Sequence, residues 1–331
     1  MNLNFLDSKE DSSKNSPDCK KIENEPYHLN NQSSLPFKED ECINNHDLYN
    51  ILNDGAMKMY LHDPYNVLVI DTRSSELFNA SHVITAKHHT IKTNSSQFLL
   101  QLSSYGMVII YGENLKKSKS LDFLVGLKKE LQEYLASDVL VLVEGYDAFV
   151  TEYPFLCTDK VIETVSQRKE LTCYPSMVLD KSLFQGRGDQ ATNERIIDTL
   201  KITHIVNITL EHRNAFPHKV KYLRLELDDV GDSNLFEHFH KTSDFIHDAL
   251  TSSSLHQNSR VLVHCNLGVS RSSTITLAYL IKYKKWNLKF AYQTLKSRRS
   301  CASPNDGFNQ QLLKWEFEIL GQNITNVGDL F

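Results

Sequence analysis

The sequence has no apolar run that could span a membrane, because none of its 331 residues lies in a stretch approaching the ~18 apolar residues required. Its formal net charge of −5 gives no general attraction to nucleic acid or to anionic lipid. The N-terminus mixes Asp7, Glu10 and Asp11 with lysines, unlike a secretory signal or a transit peptide. We therefore expect a globular protein with neither nucleic acid nor membrane as a partner.

Cysteines with paired spacing are also lacking. The six cysteines lie at positions 19, 42, 157, 173, 265 and 301, without the spacing typical of a disulfide framework or a zinc site. Unpaired thiols fit a reducing compartment better than the cell exterior. We therefore expect a cytoplasmic protein, and leave a nuclear or mitochondrial pool open.

The length of the chain allows two domains and a tail. Residues 1–45 are rich in Asn, Ser, Asp, Glu and Lys, which predicts a disordered tail. Apolar strands then alternate with helical segments in two series, which predicts two α/β domains, at 46–157 and 174–326. A polar linker is predicted at 158–173.

The predicted strands and helices follow from apolar runs and periodicity. In the first domain they are strands 66–71, 107–111 and 139–143, with a helix over 117–137. In the second domain they are strands 204–209, 222–227 and 260–264, and helices 235–253, 272–284, 288–297 and 306–320.

The most informative segment is residues 261–272, where an apolar strand leads into Cys265, five residues and then Arg271 at the start of an apolar helix. The free amides and positive dipole end of a helix N-terminus favour an anion, and Gly268 permits a tight loop. The fork of Arg271 can bind two phosphate oxygens. A cysteine inside such a loop is expected to be the nucleophilic thiolate; the alternative is a structural buried thiol.

This segment resembles the signature of the cysteine-dependent protein tyrosine phosphatases, and Ser270-Arg271-Ser272 resembles their dual-specificity branch. The resemblance implies a phosphocysteine intermediate on Cys265 and no metal or other cofactor. The five intervening residues are neutral, which favours phosphorylated proteins or peptides over phosphoinositides as partners. The remaining loop residues of the predicted phosphate site are His264, Asn266, Leu267, Gly268, Val269, Ser270 and Ser272.

The leaving group needs a proton donor, which the resemblance places in the loop before Leu235. Counting back six residues gives Asp229, with Asp228 as the second choice and Asp232 as the third; a turn rich in Asp and Gly is the alternative interpretation.

The resemblance also implies supporting roles around the loop. His264 orients it, unless that histidine only packs. Ser272 bonds the sulfur; a helix N-cap is the alternative role, and the two roles are compatible. The segment 303–312 supports the loop from beside it.

The first domain resembles the rhodanese or Cdc25-like fold in three features: 69–73 together with 81–84, strand 107–111, and 144–149. Active rhodaneses carry a cysteine in the loop after their fourth strand, and the corresponding residues 112–118 contain none, so we predict a non-catalytic domain. This domain order resembles that of MAP-kinase phosphatases, which makes MAP kinases and other signalling proteins possible partners. Residues 86–92, however, lack the arginine run of a kinase-docking site, and a solvated surface is favoured there.

Residues 46–331 also resemble the serine/threonine/tyrosine-interacting-like proteins, notably in segments 48–53, 81–86 and 311–326. Mammalian members of that group lack the His-Cys pair and are thought to act by binding. Here His264 and Cys265 are both present, so an active phosphatase is predicted, with low activity because Leu267 replaces a frequent alanine. The alternatives are a phospho-dependent scaffold protein and sulfur transfer by the first domain, against which the missing cysteine argues.

Overall fold

The fold comes from a computed structural model that describes residues 36–55, 59–90, 102–114, 121–135, 139–251, 259–326 and 328. Residues 1–35, most of the predicted tail, lie outside the described residues, as do parts of the predicted helices 117–137 and 235–253. Among the described residues, no helix combines the length and the apolar character needed to cross a bilayer.

The first unit is built on a parallel sheet whose strands lie in the order β1-β6-β5-β2-β4. Its central strands are continuous apolar runs buried on both faces, as expected for a parallel sheet covered by helices. The antiparallel pair β3–β7 completes the unit. The strands are β1 Cys42–Ile43, β2 Val67–Asp71, β3 His82–Val83, β4 Lys87–His88, β5 Met107–Tyr111, β6 Val139–Leu142 and β7 Cys157–Thr158, and the helices are α1 Asn45–Asn53, α2 Ser75–Ala80, α3 Leu121–Tyr134 and α4 Gly145–Glu152.

The second unit has a sheet in the order β11-β10-β12-β9-β8, parallel except for the pairing of β8 with β9. The parallel strands end at the same edge, so the loops after β9, β10, β11 and β12 converge there. The strands are β8 Ser176–Leu179, β9 Leu183–Gly186, β10 His204–Ile208, β11 Lys221–Leu225 and β12 Val261–His264. The helices are α5 Val165–Lys169, which precedes the sheet, α6 Gly188–Ala191, α7 Glu194–Thr199, α8 Phe239–Thr251, α9 Arg271–Lys284, α10 Leu288–Arg298 and α11 Asp306–Leu320.

Two predicted segments differ from the structure. The tail boundary at residue 45 is too late, because β1 lies inside the predicted tail and pairs with β6, with Cys42 opposite Val141. The predicted linker 158–173 contains α5, which begins with a reciprocal capping box between Thr164 and Gln167. The polar residues Thr164 and Gln167, which contributed to the linker prediction, are the capping residues of this helix.

The two units share a core. One apolar cluster joins Leu48 and Tyr49 of α1 to Met177 and Phe184 of the second sheet. The helix α1 therefore packs directly against β8, and the first unit contacts the sheet that carries the predicted phosphate loop.

Candidate active site

The predicted phosphate loop is the turn between β12 and α9. His264 ends the strand and Arg271 begins the helix. Gly268 lies at φ +70°, in the left-handed region, and a Cβ there would meet Gly186 O at 2.6 Å. The loop can take this path only with glycine at that position, and it delivers its amides at the N-terminus of a long buried helix.

Cys265 lies inside this loop with 1% of its surface exposed. The Gly268 N–H donates to Cys265 Sγ at 3.2 Å, and Ser272 Oγ lies 3.3 Å from the same sulfur. The amide donates to the sulfur, and in the contact with Ser272 either the hydroxyl or the thiol can be the donor. Ser272 is the second residue of α9, and Ser270 occupies the N-cap position, so the alternative role of Ser272 as the helix cap is wrong.

The guanidinium of Arg271 is buried at the mouth of the loop. Its Nη1 donates to Leu227 O at 2.7 Å, and its Nη2 lies 3.7 Å from Glu211 Oε1. Its Nε lies 3.5 Å from Asp229 Oδ2, which is close enough for an ion pair but lacks hydrogen-bond geometry, so this buried donor has no partner among the described residues. An oxyanion beside Cys265 would supply an acceptor for it.

Asp229 is the one of the three predicted acids that contacts the site. Besides its approach to Arg271, its Oδ1 accepts a hydrogen bond from Asn305 Nδ2 at 3.1 Å. Asp228 and Asp232 are exposed, and neither has a contact with Arg271 among the described residues. The geometry favours Asp229, although its role as the acid stays a prediction.

His264 lies behind Cys265 and is buried. Burial lowers the pKa of His264 to about 4, so the imidazole is neutral near pH 7. Its Nδ1 lies 3.2 Å from Cys265 O. A neutral, buried imidazole fits the predicted role of orienting the loop and does not fit that of a proton donor.

The other loop residues are fixed by their surroundings. Asn266 O accepts the Gly188 N–H at 2.9 Å, which ties the loop to the start of α6. Val269 O accepts from Ser303 N at 2.9 Å, and Ser270 Oγ accepts from Asn305 N at 3.1 Å. The prediction that 303–312 supports the loop is therefore confirmed. Leu267 is 44% exposed, so its side chain lies at the surface of the loop.

Three residues near the site escaped sequence reasoning. Glu211 approaches Arg271, and His212 Nε2 lies 3.2 Å from Asn266 Oδ1; both lie in the loop after β10. No spacing marks that loop in the sequence, because its position depends on strand order. Arg299 contacts the loop from behind, and its place in an arginine pair, next to Arg298, was the only signal.

The first unit has a buried polar cluster, and residues 115–118 of its predicted cysteine-free loop lie outside the described residues. Arg73 Nη2 bonds Asp71 Oδ2 at 2.7 Å, and its guanidinium lies 3.5 Å from the centroid of the Tyr146 ring. Tyr111 OH donates to the same carboxylate oxygen at 2.7 Å. These groups satisfy one another, as a structural cluster does.

Comparison with known proteins identifies the family that the second unit matches. Residues 183–318 match the family described as dual specificity phosphatase, catalytic domain. The chain is 35% identical over 202 residues to a probable rhodanese domain-containing dual specificity protein phosphatase of Dictyostelium discoideum, covering 58% of this chain and 41% of that protein. It is 36% identical over 166 residues to human dual specificity protein phosphatase 21, covering 48% of this chain and 85% of that protein.

Among solved structures, the human tyrosine phosphatase-like serine/threonine/tyrosine-interacting protein is 28% identical, with a TM-score of 0.41 over 44% of this chain and 98% of that one. The chain spans less than half of the Dictyostelium relative, whose name includes a rhodanese domain. The predicted fold class, a rhodanese-like α/β unit followed by a dual-specificity phosphatase α/β unit, is confirmed. The chain belongs to the dual specificity phosphatase family.

Proposed function

We propose that this protein hydrolyses phosphotyrosine and phosphoserine or phosphothreonine in proteins through a phosphocysteine intermediate. The observation that carries the proposal is the convergence of Cys265, Arg271 and Asp229 on one loop mouth, with the Gly268 N–H donating to the sulfur and the Ser272 hydroxyl in contact with it. Family membership adds the reaction class. In a two-step displacement, Cys265 is the nucleophile, Arg271 binds the oxyanion and Asp229 is the acid.

In the first step, Cys265 Sγ forms a bond to phosphorus while the P–O bond to the substrate breaks. The loop amides and Arg271 stabilise the charge on the equatorial oxygens. The departing oxygen takes its proton from Asp229. In the second step a water molecule gives a proton to Asp229 and attacks phosphorus, the S–P bond breaks, and the thiolate and inorganic phosphate are released.

The loop itself argues for a singly phosphorylated side chain as substrate. The residues between Cys265 and Arg271 carry no charge, and Glu211 and Asp229 place two carboxylates near the guanidinium. A headgroup with several phosphates would meet these carboxylates without any further cation supplied by the loop. Phosphorylated signalling proteins, MAP kinases among them, are the partners to test, and the cytoplasm is the proposed location, to be checked by imaging a fluorescent fusion.

The decisive experiment is hydrolysis of an aryl phosphate and of phosphotyrosine and phosphothreonine peptides by the full chain. We expect vanadate-sensitive turnover of all three, and none with Cys265→Ser. A wild-type protein that releases no phosphate would refute the proposal. Binding of phosphopeptide without turnover, lost in Arg271→Ala but kept in Cys265→Ser, would establish the scaffold function in its place.

A further inference from the structure

A second arginine, Arg299, lies behind the phosphate loop. It follows α10 and has no exposed surface. Its Nε donates to Gly268 O at 2.7 Å and its Nη2 to Leu267 O at 3.3 Å. Its Nη1 donates to Ser176 Oγ, in β8, at 3.0 Å. One buried guanidinium thus joins two loop carbonyls to the neighbouring edge strand.

These contacts orient the loop amides. In a trans peptide the C=O and N–H groups point in opposite directions. Because Leu267 O faces Arg299, the N–H of the same peptide, that of Gly268, points the other way and reaches Cys265 Sγ at 3.2 Å.

The next peptide is held in the same way. Gly268 O accepts from Arg299 and, at 3.2 Å, from Gln185 Nε2, so the Val269 N–H is directed away from Arg299. Arg299 therefore fixes two consecutive peptide dipoles without touching the substrate site.

The residues on both sides of Arg299 are anchored to the first unit. The Ser300 N–H donates to both carboxylate oxygens of Asp54, each at 3.2 Å. Arg298 forms an ion pair with Asp47. Asp47 lies in α1 and Asp54 directly follows it, so a single helix of the first unit holds the residues before and after Arg299.

The same helix also holds the strand that Arg299 contacts. The Asn50 side-chain amide bonds Met177 twice, accepting from its N–H at 2.8 Å and donating to its carbonyl at 3.0 Å. Asn53 Oδ1 accepts from Tyr174 N at 2.7 Å. Ser176, the partner of Arg299, lies between these two attachment points. The helix α1 thus fixes both the arginine and its neighbouring strand.

From this chain of contacts we infer that the first unit positions the phosphate loop, with Arg299 as the positioning residue and Asp47 and Asp54 as its anchors. The inference rests on the proposed function, since the loop it positions is that of the phosphatase site. In this arrangement the first unit keeps the Gly268 and Val269 amides aimed at the oxyanion.

The test combines kinetics with calorimetric binding of inorganic tungstate, a tetrahedral oxyanion, to the full chain. Arg299→Lys keeps the charge but cannot span three acceptors, and Asp54→Ala removes the anchor. We expect each to lower kcat roughly tenfold with KM changed less than about twofold, because misaimed amides weaken the transition state most. The tungstate Kd should rise in parallel, and the double variant should be no worse than Arg299→Lys alone.

The binding stoichiometry separates positioning from folding, because it counts the intact sites while Kd and kcat per intact site report loop geometry. Arg168→Lys is the matched control: it alters a buried arginine that bonds Leu61 O and lies outside the loop contacts, and it should leave both values unchanged. Unchanged kcat and Kd in Arg299→Lys or in Asp54→Ala would overturn the inference. A wild-type chain that binds tungstate but does not turn over would refute only the proposed function, and the Kd series would still decide the inference.

Discussion

Gly307 lies very close to Gly231, which belongs to the loop that carries Asp229. A single methyl group added at Gly307 would therefore displace this loop. Gly307 is the second residue of α11, and a Cβ there would lie 2.1 Å from Gly231 O and 2.6 Å from Gly231 Cα. Gly307 has no positive φ, so alanine suits its helical backbone. The only effect expected of Gly307→Ala is therefore the steric clash of its Cβ with Gly231. The reverse substitution fits, because a Cβ on Gly231 would meet Gly307 at 3.8 Å.

The size of the effect follows from this overlap. Gly231 O must retreat by about 1 Å before the contact reaches the 3.0 Å below which real Cβ contacts are essentially never found. Asp229 lies two residues earlier in the same loop, and a displacement of about 1 Å at a reacting group can cost roughly 100-fold. In Gly307→Ala we therefore expect kcat on phosphoserine and phosphothreonine peptides to fall about 10- to 100-fold, about 1.4–2.7 kcal/mol in the barrier.

The loss should depend on the leaving group. A nitrophenyl ester needs little protonation of its leaving oxygen, so its kcat should change less than about threefold, in line with the role of a general acid. Parallel assays of the two substrate types, with Gly231→Ala as the matched control, measure this difference. Equal losses on both substrates, or an equal loss in Gly231→Ala, would refute the reasoning that Asp229 is the acid and that Gly307 sets its position.

Two further perturbations act on the phosphate loop. Gly268→Ala places a Cβ 2.6 Å from both Arg299 Nη2 and Gly186 O at a positive φ, so urea unfolding should show a loss of about 2 kcal/mol or more, and turnover should fall. The pKa of His264 is lowered by burial to about 4, so as the pH falls from 6.5 the unfolded state takes up a proton first and stability declines, by about 3 kcal/mol in total once the pH reaches 4. His264→Asn should therefore flatten the pH dependence of urea unfolding between pH 6.5 and 4, and an unchanged slope would contradict the burial argument.

The phosphate loop could be found from sequence because its determinants are local. A buried strand, a glycine that must adopt positive φ, and an arginine at a helix start lie within twelve consecutive residues, Val261–Ser272. The acid was harder to identify, since three aspartates lie within five residues of one another. The contact that selects Asp229 comes from Asn305, which also caps α11, and such a long-range pairing leaves no spacing signal.

Short strands were the main elements that sequence reasoning missed. The strand β1 has two residues, and its pairing with β6 joins positions about 100 apart, so no periodicity marks it. The pair β8–β9 is a short antiparallel ladder with an irregular register, which alternation alone does not reveal. The strand β8 also carries contacts between the two units, through the two hydrogen bonds of Asn50 with Met177.

The first unit can serve the phosphate loop through its rigidity. In the first unit the buried Asp71–Arg73 pair has its acceptors and donors satisfied from several sides, and losing one partner of such a pair costs about 3–5 kcal/mol. A fold held in this way presents α1 as a fixed surface. The loop amides must stay within a fraction of an ångström of their productive positions, because small misplacements lower the reaction rate by large factors. Two carboxylates, one in α1 and one directly after it, hold the residues on either side of Arg299, and they meet that requirement better than the short turn 299–303 could alone.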